Sequence, residues 1–515
     1  MTDSRFDPFA EASQLDRRSL LQWGALAGAG LLAKPLWAAD AAPPPAPATQ
    51  ASFGIPDKDL QAVLAVAMSR GGDFADLYFE RSRSLQMVLE DERISRASTN
   101  AELGMGVRVV KGDAVGYAYS EVLELKAMKQ AAATAAAIAD GKPGAVKAAQ
   151  AVATLPKFYD AAYRYASVGL KQKKDLVVRV NQALRSKDPR VVKTTVAYLD
   201  QDREIFVVTS DGQSYGDHQP MTRLSASCVA EDKGRRESGT YNIASRQGFS
   251  VYSETSVARL VAEAVRRTVL MFEAATPKGG DMPVVLGAGP SGILLHEAIG
   301  HGMEADFNRK NTSVYATKLG KPVAEPFVTV VDDGTLPDAR GSIHIDDEGG
   351  ASQRTVLVDK GTLASYLHDR ISAKHYGVAP TGNGRRESFR HTVMPRMRST
   401  YMLPGPHKRE EIIRSVKKGL YCESFSNGQV NIGAGDFTFF VKTGFLIEDG
   451  KLTRPVKDVN IIGNGPEVLT KISMVADDLQ IDEGGWTCGK NGQSVPVSQG
   501  MPTVLVKGIT VGGVA

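Results

Sequence analysis

The sequence predicts an α+β protein of two domains. The first is an N-terminal α/β domain with a mainly antiparallel sheet. The second is a C-terminal β-rich domain that carries a histidine-bearing helix. Three observations lead there. A chain of 515 residues is longer than one hydrophobic core ordinarily serves. Helical and strand-like periodicities alternate up to residue 278 without the strict strand–helix–strand repeat of a parallel sheet. Beyond the helix at 293–306, almost every periodic segment reads as strand. The expected divisions are a leader at 1–41, a Pro/Ala-rich linker at 42–55, a first domain at 56–278 and a second at 279–515.

The elements follow in order. Asp16-Arg17-Arg18-Ser19-Leu20-Leu21 resembles a twin-arginine export signal, with a Gly/Ala-rich apolar stretch behind it and small residues near Ala39 for cleavage. It implies a periplasmic location, with a cytoplasmic or signal-anchored protein as the alternative. The apolar stretch is too short and glycine-rich to span a bilayer well, so membrane contact is expected only through this segment. Pro43, Pro44, Pro45 and Pro47 mark the linker. Residues 57–70 have helical spacing and stop at Gly71-Gly72. Alternation predicts strands at 76–79, 85–89, 105–110 and 115–119, with Lys111-Gly112-Asp113 as a hairpin turn. Helices are expected at 124–139, which is Ala-rich, and at 170–185, whose lysines read as a solvated face. Strands at 191–199 and 204–208 flank Asp200-Gln201-Asp202, and 221–229 adds another. An amphipathic helix covers 255–272.

The second half opens with strand 283–286 and the glycine-rich turn 287–292. Then comes His296-Glu297-Ala298-Ile299-Gly300-His301-Gly302-Met303-Glu304-Ala305-Asp306. Neutral imidazole is the commonest metal ligand. A carboxylate beside it is placed to take a proton from an activated water. Histidines four apart lie about 40° apart around a helix, but these are five apart, about 140°. A regular helix cannot aim both at one ion. The motif therefore predicts its own distortion, a π-type bulge or an early helix end, which Gly300 and Gly302 would permit. Further on, 327–331 is a buried-looking strand, 356–363 and 445–452 read as hairpins, and 430–440 as a strand pair with glycine kinks. Residues 466–472 form a short helix and 503–506 the last strand.

Composition narrows the function. The chain is 42% hydrophobic and 23% charged, as soluble globular proteins are. A net charge of +4 with no long basic run argues against a nucleic-acid partner. Cys228, Cys422 and Cys488 are too few and too widely spaced for a disulfide framework. Gly287, Gly289 and Gly292 outline a dinucleotide fingerprint, but no second strand leads to an acid at the right offset, and Pro290 removes a backbone donor. Ala379-Pro380-Thr381-Gly382-Asn383-Gly384-Arg385-Arg386-Glu387-Ser388 is a basic glycine-rich loop. Its Asn383, Arg385 and Arg386 are candidates for holding a carboxylate or phosphate of a substrate, against a surface turn with solvated arginines. A catalytic zinc takes three protein ligands. Glu304, Asp306 and Cys488 are all candidates for the third; Lys490 beside Cys488 would favour its thiolate. His218, His344, His368, His375, His391 and His407 show no ligand spacing.

Four segments together resemble the TldD/PmbA family of metallopeptidases, on its TldD-like catalytic side. They are 296–306, 379–388, Ile462-Gly463-Asn464-Gly465-Pro466, and Thr487-Cys488-Gly489-Lys490-Asn491-Gly492-Gln493-Ser494-Val495-Pro496-Val497. The resemblance covers essentially everything after the linker. It implies a zinc ion held by His296, His301 and Cys488, with Glu297 as the catalytic general base. It implies small or unfolded peptides as substrates, and a dimer, either of two copies or with a PmbA-like paralogue. Familiar members are cytoplasmic, so the leader is a departure. The alternatives are a non-catalytic modulator subunit on the same fold and a metal-dependent hydrolase of another amide bond.

Overall fold

The computed structural model describes residues 50–150 and 156–513. The expected leader, and the linker as far as residue 49, lie outside the described residues. Packing begins before Pro56: Gln50–Phe53 make a 3-10 turn, and Phe53 and Ile55 are buried in a core with Phe79.

The first sheet is built from β1 (Phe74–Glu90), β2 (Arg93–Lys111), β3 (Ala114–Ser120), β4 (Val191–Thr209), β5 (Ser214–Asp232) and β6 (Arg235–Ser245). All pairings are antiparallel, in the order β3-β2-β1-β4-β5-β6. Four of these strands are 17 or 19 residues long, where sequence alternation predicts short pieces. The length has a reason. One face carries two helix pairs side by side along the strands. α1 (Asp57–Ala67) and α2 (Leu125–Ala136) pack on Leu77, Phe79, Met105 and Phe206. α3 (Leu170–Lys187) and α4 (Glu254–Val269) pack on Met87, Leu89, Val196 and Leu224. Successive side chains of a strand point to opposite faces, so Asp76, Tyr78 and Glu80 face the other way, onto the C-terminal half. There Tyr78 packs with Ile345 and Phe389. Both faces of β1 are covered at its start, which erases the alternation a half-exposed strand would show.

Two local expectations change. Asp200-Gln201-Asp202 does not break β4, because its acids are satisfied in place. Asp200 pairs with Lys173 at 2.6 Å, and Asp202 accepts from the Tyr165 and Ala166 amides. Lys173 is accordingly buried, not part of a solvated face.

In the C-terminal half β7 (Gly280–Leu286) pairs parallel with Lys418–Val430 and antiparallel with Val504–Gly512. The ladder continues through Val459–Asn464 to Asp436–Glu448, which pairs back onto Lys418–Val430. The five strands close into a ring, leaving no free edge among them. The strand pair expected within 430–440 is thus two long strands that turn at 431–435. A second sheet joins Arg354–Asp359, Val330–Asp333, Ser399–Met402 and Ser498–Met501. The largest core lies between these sheets, and Leu294, Leu295, Ile299 and Met303 of the histidine-bearing helix sit inside it. The helix is a core element fed directly by β7. Burial at this depth is worth about 1.5–3 kcal/mol for each large apolar side chain. Two of the three glycines of the dinucleotide-like outline serve packing here, and Gly289 takes a positive φ of 83°. A Cβ on Gly292 would meet the Gly500 backbone nitrogen at 2.5 Å, and one on Gly287 the Tyr421 hydroxyl at 2.5 Å.

Candidate metal centre

The helix is distorted where its spacing demands it. One α-turn, Ile293–Leu295, runs into a π-turn, His296–Gly300, and then a 3-10 turn, His301–Met303. The His301 amide donates to the His296 carbonyl. That five-residue closure brings both imidazoles to one side, with ring centroids 5.1 Å apart and planes at 83°. The glycines contribute differently from the expectation. Gly300 has ordinary helical dihedrals, φ −59° and ψ −49°. What it provides is space: a Cβ there would run into Met397 Sδ, and one on Gly302 would meet the Tyr315 ring at 2.7 Å.

Cys488 arrives on a separate hairpin, Thr487–Lys490 paired with Gln493–Pro496. Its Sγ lies 3.4 Å from His301 Nε2. Ligand atoms of His296, His301 and Cys488 all lie within 4.8 Å of one another, and all three residues are buried. They are the one such group among the described residues. Burial alone would raise the Cys488 thiol, but the two imidazoles outweigh it and hold the thiol well below its ordinary value. His296 Nδ1 is buried without a hydrogen-bond partner among the described residues. A thiolate and two imidazoles, one of them with an orphaned buried nitrogen, fit a borderline-soft divalent ion.

The other predicted site residues fall into place around this group. Glu297 keeps 20% of its side chain exposed, with Oε2 3.9 Å from His301 Nε2. Burial raises its carboxyl above the ordinary range, against the pull of His296 and His301. Glu304 stands behind His301 rather than among the ligand atoms: its Oε2 is 3.0 Å from Nδ1. That partner turns Nε2 toward Cys488 as an acceptor. Burial works to raise the Glu304 carboxyl, and Lys490 with His301 outweighs it, holding it at about 2. Lys490 does not act on the thiol as expected from sequence. Its Nζ is spent on Glu304 at 3.1 Å, on Asp306 at 2.7 Å and on the Pro395 carbonyl at 3.0 Å. The Glu304–Lys490 support is the part sequence reasoning missed. The i,i+3 offset of Glu304 from His301 is the signal that pointed to it.

Most of the basic loop is buried, with Ala379, Pro380 and Glu387 exposed. Asn383 donates to Asp332 and to the Arg396 carbonyl. Arg386 is fully buried against Asp76 at 3.1 Å and the Asp347 carbonyl. Both side chains are committed to these internal partners. Arg385 donates to the Met397 and Pro496 carbonyls and reaches the hairpin of Cys488. His218 and His344 are engaged with Asp202 and Asp217.

Three family models match in succession: PmbA/TldA metallopeptidase domain 1 at residues 75–139, the central domain at 163–272 and the C-terminal domain at 279–513. The chain belongs to the PmbA/TldD metallopeptidase family. The Metalloprotease TldD homolog of Haemophilus influenzae is 42% identical over 461 residues, covering 88% of this chain and 96% of that one. TldE of Thermococcus kodakarensis shares the fold at TM-score 0.70 and 20% identity, over 88% of this chain and all of that one. A crystal structure from Thermotoga maritima, described as a modulator of a DNA gyrase, matches at TM-score 0.71 and 22% identity, over 88% of this chain and 100% of that one.

Proposed function

We propose that this family member is a zinc-dependent peptidase acting on small or unfolded peptides. His296, His301 and Cys488 would hold the zinc, and Glu297 is its general base. One observation carries the reading. Three buried ligand atoms from segments 187 residues apart converge within 4.8 Å, beside one carboxylate that stays partly open to solvent.

When bound, zinc supplies Lewis acidity toward a water and the scissile carbonyl. The chain supplies the rest. Glu297, held more basic than an ordinary carboxylate, takes the proton of the attacking water and returns it to the leaving amine. Glu304 keeps His301 in one tautomer. Leu294, Leu295 and Ile299 exclude water from the rear of the site. The leader resembling a twin-arginine signal supports export to the periplasm. The family resemblance supports a dimer, of two copies or with a PmbA-like chain.

Peptide-library cleavage by the zinc-loaded protein, with and without a chelator, tests the reading. Glu297→Gln should bind one zinc per chain and lose about 10²–10⁴-fold in kcat. Normal turnover in that variant would remove Glu297 from the reaction. A wild-type chain that holds no stoichiometric metal and cleaves nothing would favour a modulator subunit instead.

A further inference from the structure

Several buried or half-buried arginines of this chain meet a carboxylate. Arg108 pairs with Asp76 and Glu348, Arg203 with Glu80, Arg386 with Asp76, and Arg398 with Asp332. Four others do not. Arg246, Arg340, Arg385 and Arg396 have no carboxylate within ion-pair distance among the described residues; Arg396 lies deepest, its guanidinium donating to the Cys488 carbonyl at 2.6 Å. Their donors go to neutral oxygens. Arg340 Nε reaches the Trp486 carbonyl at 3.1 Å and its Nη2 the Thr487 hydroxyl at 3.2 Å. Arg385 Nη2 reaches the Pro496 carbonyl at 2.8 Å. Arg246, 2% exposed, lies with its guanidinium 5.1 Å from the Tyr159 ring centre. Its Nε is buried and has no hydrogen-bond partner among the described residues.

These residues are neighbours, and they border the metal centre. The Arg246 amide donates to the Asp338 carbonyl, two residues before Arg340. Thr487 and Pro496, held by Arg340 and Arg385, face each other across the hairpin, one rung from Cys488. Burial, with Arg223, Arg246 and Arg385 added to it, pulls the Arg340 guanidinium down to about 9. Burial pulls Arg385 to about 9 as well, Asp347 opposing and Arg396 and Arg246 assisting. Gathering cations with only the more distant Asp217 and Asp347 to offset them is costly, and an anion arriving from outside would relieve that cost. Arg340 is only half-buried and Thr487 is exposed, so the cluster is open on the side of the hairpin. A guanidinium offers five donors in a planar fork matched to a carboxylate.

We propose that Arg340 and Arg385, backed by Arg246, form a subsite beside the metal centre that binds a carboxylate of the peptide substrate. The inference rests on the peptidase reading above and adds a substrate class to it. The carboxylate comes from an acidic side chain or from the peptide's own C-terminus.

The test uses zinc-loaded full-length protein and two pairs of alanine-based pentapeptides. One pair differs by Glu against Gln at an internal position, the other by a free against an amidated C-terminus. Wild type should favour the charged member of one pair by about tenfold or more in kcat/KM, mainly through KM. The pair that discriminates identifies the source. Arg340→Gln should collapse that ratio toward unity, and Arg340→Lys should restore part of it. Equal kcat/KM within both pairs overturns the subsite. So does an Arg340→Gln variant that slows charged and uncharged members equally. If no peptide is cleaved, the peptidase reading falls. The subsite is then judged by calorimetric binding of the same pairs to Glu297→Gln protein, where equal affinities overturn it.

Discussion

Glu304→Gln removes one charge from the support behind His301 and leaves its shape. Glu304 is fully buried, with Lys490 at 3.1 Å and His301 at 3.0 Å. Its carboxyl falls from an ordinary 4.5 to about 2, a preference for the charged form of about 3 kcal/mol. A carboxyl depressed by folding stabilises the protein above its unfolded value and loses that stabilisation as pH falls toward the folded one. Metal-free wild type should therefore exceed Glu304→Gln by about 3 kcal/mol at pH 7 and by about half of that at pH 3. Urea unfolding at several pH values measures the gap. A second readout separates support of the ligand from general stability. A neutral partner on Nδ1 makes His301 a poorer donor, and zinc affinity should fall about 10–100-fold in a chelator competition. A stability gap that ignores pH, together with unchanged zinc affinity, would refute the assignment of Glu304 as the residue that orients His301.

Two further outcomes follow from the packing around the site. Gly300→Ala places a methyl against Met397 Sδ and should destabilise the fold by about 1–3 kcal/mol. Adding Met397→Ala should cost less than the two single changes together, as denaturant titration of the four proteins would show. Arg386→Gln breaks a fully buried pair with Asp76 and should cost about 3–5 kcal/mol of stability, with peptide KM unchanged in the folded fraction. A raised KM at wild-type stability would return Arg386 to the substrate.

How much of this was legible in the sequence depends on how local the cause is. The π-turn follows from an angular conflict contained within six residues, and the structure resolves it at that place. The mixed fold with a mainly antiparallel first sheet was legible from alternation alone. The lengths of β1 and β4 were not, because two separate helix pairs share one face of each strand and the C-terminal half covers the other. Periodicity reports exposure, and a segment covered on both sides has none to report. Spacing left the third ligand position open for a similar reason, since Cys488 meets His301 across 187 residues.

The basic loop 379–388 shows how residues far away in sequence divide a motif's roles. Glycines and arginines in series read as an exposed anion cradle, yet Asp76, 310 residues away, claims Arg386, and Asp332 claims Asn383. The same accounting separates structural from recruiting cations. At Arg108 and Arg398 the chain buries a guanidinium and brings a carboxylate to it, while at Arg396 it brings the Cys488 carbonyl. The charges that act most on Arg340 are those of Arg223, Arg246 and Arg385. Desolvating a cation is unfavourable in either place, and the half-buried Arg340 beside exposed Thr487 leaves that group, unlike Arg396, open to an anion that arrives with the substrate.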